Sequence, residues 1–163
     1  MTIRTNNPNP LDNPPIPVQA KIAAAWTSFM FLYLYVDVLN FYKPGVVDSI
    51  LDGLMWRFDV SSTLLTVVLV SVSIPALMVA LSITLPARAN RATNLVAAAL
   101  YIPICVFNAA GATWDYAIYY ALTIGVEVLI MAFILRSAWT WPRIPTAPVG
   151  RAVIADVRHR VQS

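Results

Sequence analysis

Two carboxyl side chains stand where carboxyl groups are rare. Asp37 lies near the end of the apolar run Ile22–Phe41, and Glu127 lies in the middle of the apolar run Ala117–Trp139. A charge inside hydrocarbon is costly, so such residues face a protein interior or a water-filled cavity and mark proton or ion pathways. At 1.5 Å per helical residue, Asp37 falls roughly 7 Å and Glu127 roughly 15 Å below the same membrane edge. That offset argues against a direct pair, and each needs its own partners.

Neighbouring runs supply candidates. Asn94, Tyr101 and Asn108 are spaced by sevens and share a helix face that drifts by about 20° per step. Tyr116, Tyr120, Thr123 and Glu127 form one stripe of the last run, because residues three and four apart lie on the same side of a helix. Ser71, Pro75, Met78 and Ser82 share a face of the second run. Pro75 lacks an N–H, which frees the carbonyl of Ser71. These spacings predict two polar layers. The outer layer is Asp37, Asn108 and Tyr120, with Tyr33 and Asn40. The middle layer is Glu127, Tyr101, Thr123 and Ser71, with a protonated Glu127 donating to the freed Ser71 carbonyl. Together with Asn94, the residues Asp37, Glu127, Tyr101, Asn108, Tyr120 and Ser71 form the candidate site. Cys105 reads as a small core hydrophobe and Pro103 as a helix kink.

The elements that must position these groups follow from length. A span needs about 20 mostly apolar residues, and four runs qualify: Ile22–Phe41, Ser62–Leu85, Thr93–Ala110 and Ala117–Trp139. The short connections Pro86–Ala92 and Gly111–Tyr116 make their flanking helices antiparallel neighbours. The expected fold is all-α, an antiparallel four-helix transmembrane bundle over residues 21–141. Composition agrees. The 163 residues are 59% hydrophobic and 12% charged, with mean hydropathy +0.68. Soluble domains are about 25% charged. This excludes a soluble enzyme domain and a nucleic-acid binder. One Cys and one His provide no disulfide framework and no metal or haem constellation, and no cofactor is expected.

Nine Lys or Arg residues fall on the side of both termini, against Lys43 and Arg57 on the other. The positive-inside rule then places both termini in the cytoplasm of a cell that carries the protein in its plasma or inner membrane. Residues 1–20, with five prolines, read as a disordered tail, and 142–163 as a basic tail. In the external loop, Val46, Val47, Ile50, Leu51, Leu54, Met55 and Phe58 recur at helical spacing opposite Asp48, Asp52 and Asp59. This predicts an amphipathic helix of about three turns that lies flat and caps the bundle.

The order of several motifs carries a resemblance. Lys21-Ile22-Ala23 opens the first span, and Phe31-Leu32-Tyr33-Leu34-Tyr35-Val36-Asp37-Val38-Leu39 closes it. Pro44-Gly45 and a short loop helix follow. Arg88-Ala89-Asn90-Arg91-Ala92-Thr93-Asn94 joins the second and third spans. Glu127 sits in the fourth span, and Trp139-Thr140-Trp141 ends it. The chain resembles a bacterial family of small four-helix membrane proteins of unknown function over residues 20–141. The resemblance implies the fold and no activity, and it matches positions Asp37, Asn94 and Glu127.

Three functions fit these residues. The first is a non-enzymatic membrane protein acting as a homo-oligomer or as an accessory subunit of a larger membrane complex, with Ala97, Ala98, Ala99, Ala109, Ala110 and Gly111 suited to close helix contact. The second is proton- or cation-coupled movement of a small solute through Glu127. The third is a lipid- or quinone-binding module. No nucleophile–base pair supports an enzyme. The bilayer is the expected partner in all three.

Overall fold

A computed structural model describes residues 16–107 and 113–141. Asn108, Ala109, Ala110, Gly111, residues 1–15 of the N-terminal tail and the C-terminal tail lie outside the described residues, while residues 18–20 of the expected tail are already the first turn of a helix. Among the described residues there are five α-helices: α1 (Val18–Asn40), α2 (Val46–Leu51), α3 (Ser62–Thr84), α4 (Ala87–Phe107) and α5 (Ala117–Trp139), the last preceded by a 3₁₀ turn at Trp114–Tyr116. Four of them, α1, α3, α4 and α5 with its 3₁₀ turn, are long and apolar enough to cross a membrane.

Local chemistry sets the helix ends. Pro17 precedes α1, where its missing N–H costs nothing. Gly45, at φ +78°, makes the left-handed turn into α2 that an L side chain resists. Ser61 caps α3 by accepting from the Leu64 N–H at 3.1 Å. Leu85 is extended before Pro86 and ends α3. The Pro86 carbonyl then accepts from Asn90 N–H as α4 begins. The connection expected over Pro86–Ala92 is therefore mostly helix. Arg88 and Arg91 carry α4 beyond its apolar run, since hydropathy marks the span and helix propensity marks the helix. α4 continues through Pro103 as one helix.

The loop helix departs further from expectation. α2 stops at Leu51, after which Gly53 at φ +79° turns the chain. Leu54–Met55 (β1) and Phe58–Asp59 (β2) then pair as a two-stranded hairpin, with Trp56 at φ 58° in its turn. The helix-spaced apolar residues 54–58 are thus divided between strands. None of residues 41–61 is buried.

The long helices close a ring in the order α1, α3, α4, α5, with α3 and α4 sharing the least contact. The pairs Ser82–Asn90 and Ser71–Tyr101 run in opposite senses along α3 and α4. Both helices are therefore antiparallel. The ring has a tail end, where α1 and α4 begin, and a loop end, which carries residues 41–61. The core is Ile22, Trp26 and Phe29 of α1, Met78 of α3, Ala97, Ala98, Tyr101 and Cys105 of α4, and Met131, Ile134 and Ala138 of α5. Trp26, Phe29 and Tyr101 meet edge to face at 5.7–6.1 Å between centroids, a geometry worth about 0.5–1.5 kcal/mol per pair beyond burial.

Candidate functional site

The polar residues separate into three places along the bundle. The first, at the tail end, is a closed knot. Asn94 is completely buried. Its Oδ1 accepts from Trp26 Nε1 at 2.6 Å and from Ser82 Oγ at 3.2 Å. Its Nδ2 donates to Asn90 O at 2.9 Å and to Asn90 Oδ1 at 2.7 Å. Asn90 Nδ2 donates to the Ser82 carbonyl at 2.6 Å. Three helices are tied here, and the capacity of the Asn94 amide is used. A satisfied network of this kind orients helices. Asn94 therefore belongs to the scaffold, apart from the other candidate residues.

The second place is the middle of the bundle. Pro75 frees the Ser71 carbonyl as expected, and Tyr101 Oη donates to it. The expected donor, Glu127, does not. The tyrosine hydroxyl already fills the position, and Glu127 lies elsewhere on the ring. Glu127 is 1% exposed. The thiol of Cys105 is set against its carboxyl, and neither Oε1 nor Oε2, both buried, accepts from an N–H or O–H group. A buried polar group without a partner costs about 1–3 kcal/mol, and more when charged. Such an expense points to a working group or to a ligand. Cys105 is four residues after Tyr101, on the same face of α4, and this spacing was the signal in the sequence that it would meet the polar layer.

The third place is the loop end. Asp37 follows Trp26, Phe29 and Tyr33 on the inward stripe of α1, yet it is exposed. None of residues 31–40, 62–74 and 117–126 is buried. Asn40 Oδ1 is a further buried acceptor without a partner. Tyr119 Oη ties α5 to α1 by donating to the Val36 carbonyl at 3.0 Å. Tyr120 does not pair with Asp37. Its hydroxyl accepts from Lys43 Nζ at 2.8 Å. Asn108, expected beside them, lies outside the described residues.

Lys43 is the residue that sequence reasoning missed, having served only to orient the chain. Its ammonium lies 4.2 Å from the Tyr120 ring centroid, 4.6 Å from Tyr119 and 5.1 Å from Tyr116. Positions 116, 119 and 120 are three and four apart, so the first turn of α5 presents all of them together. A helix N-terminus repels a cation by about 0.3–1 kcal/mol. Each ring attracts it by about 0.5–1 kcal/mol, or about 2 kcal/mol when desolvated. Three rings and a hydroxyl outweigh the dipole. No feature of residue 43 itself signals this contact, because its partners lie more than 70 residues away.

The model of a family of unknown function (DUF6326) matches residues 18–146. No curated protein and no solved structure matches the chain.

Proposed function

The chain belongs to that family of unknown function, and from its own geometry we propose that it is a non-enzymatic integral membrane protein that couples a proton or small cation to movement of a small solute. One observation carries the reading. Glu127 is buried near mid-span, and neither carboxyl oxygen accepts from an N–H or O–H group. The tail end is tied by the Asn90–Asn94 knot. By the distribution of Lys and Arg, the loop end faces out of the cell and both termini face the cytoplasm. Four spans are few for alternating access, so the working unit is a homo-oligomer.

In proteoliposomes with an imposed pH gradient, the wild-type chain dissipates the gradient, and Glu127→Gln abolishes that dissipation. Equal rates in the two proteins would overturn the reading.

A second reading is an accessory subunit of a larger complex. It draws on the exposed apolar side chains of the loop, among them Leu51 (80% exposed) and Trp56 (70%). Against it, Ala97 and Ala98 are consumed inside the bundle, which removes part of the small-residue face suited to another chain. Purification in mild detergent separates the two readings: a stoichiometric partner protein favours the subunit.

A further inference from the structure

We propose that Tyr116, Tyr119 and Tyr120 form a recognition site for a small organic ammonium ion, with Lys43 as its tethered occupant. The site is already shown holding an ammonium. Lys43 Nζ lies within 5.1 Å of all three ring centroids and donates to Tyr120 Oη at 2.8 Å. A cation over aromatic faces within about 6 Å is the geometry by which proteins bind alkylammonium groups. The stem of Lys43 enters from residues 41–45, a connection in which no residue is buried. Its departure would leave the rings and a hydroxyl acceptor without their cation.

One further group favours an ammonium with N–H donors: Asn40 Oδ1, three residues before Lys43, is a buried acceptor with no partner. Two of the rings also share a helix with Glu127. Tyr120 precedes it by seven residues on the same stripe of α5, roughly 10 Å by helical rise. The step from the rings to Glu127 rests on the proposed function, whereas the ring site stands on its own geometry. A tethered competitor acts at an effective concentration of the millimolar order or above. The wild-type site therefore binds a free ammonium weakly, and removing the tether exposes its affinity.

The test is calorimetric titration of methylammonium chloride into the full chain in mild detergent, with sodium and potassium chloride as controls. Lys43→Ala is expected to bind methylammonium at least tenfold more tightly than wild type. Adding Tyr119→Leu and Tyr120→Leu to it should weaken binding at least tenfold. Lys43→Gln, which keeps the chain length, should behave like Lys43→Ala and replaces it if the alanine variant does not fold. Glu127→Gln in the Lys43→Ala background should retain binding, so failure of the flux experiment and failure of this one are distinguishable. The proposal is overturned if neither Lys43 variant gives heat beyond the salt controls, or if potassium binds equally well. It is also overturned if the tyrosine replacements leave binding unchanged, or if both Lys43 variants unfold, which would make Lys43 a structural latch.

Discussion

The two ends of the bundle use polar residues in opposite ways. At the tail end, Asn94 takes four hydrogen bonds from three helices with no exposed surface. Toward the loop end, Glu127 is almost as buried and takes none, while Asp37 is exposed on the stripe leading to it. Burial alone therefore does not distinguish scaffold from site. Satisfaction does. A matched network returns the cost of desolvating its members, whereas an unmatched carboxyl retains that cost and needs another reason to be there.

This contrast can be broken from either end. The largest effect is expected at the knot. Asn94→Ala leaves Trp26 Nε1, Ser82 Oγ and Asn90 Oδ1 without their Asn94 partner, and should lower unfolding stability in detergent by about 2 kcal/mol. A change under about 0.5 kcal/mol would remove the knot from the scaffold. Tyr101→Phe orphans the Ser71 carbonyl freed by Pro75 and should lower the same measured stability by about 1 kcal/mol. Glu127→Gln breaks no hydrogen bond. Its unfolding midpoint should equal or exceed that of wild type, and a loss above about 1 kcal/mol would show a partner for the carboxyl. Asp37→Asn, at an exposed position, should shift stability by less than about 0.5 kcal/mol while slowing any flux that passes Glu127.

Much of the framework was legible in the chain. Run length marks the four long helices, and α5 spans the same residues as its apolar run, 117–139. The Ser71–Tyr101 contact was legible because it needs only two local facts, a proline four residues after Ser71 and equal depth on antiparallel helices. The partner of Asn94 and the partner of Lys43 were not. Trp26 reaches Asn94 across 68 residues and Lys43 reaches Tyr120 across 77, so both depend on how the helices rotate about their axes. Packing sets that rotation, and periodicity does not report it. Depth placed Glu127 with Tyr101 and Ser71, and the group set against its carboxyl is Cys105, one turn from Tyr101 on α4. In the loop, helical spacing continued through Phe58, but Gly53 at φ +79° ended the helix. A local turn overrode a periodic pattern there.

The central claim is that the tail end holds the bundle together and Glu127 does its work. The most direct test measures unfolding stability and pH-gradient dissipation on the same Glu127→Gln preparation, reconstituted beside wild type. The account predicts wild-type stability with the dissipation gone. Dissipation at the wild-type rate would contradict it.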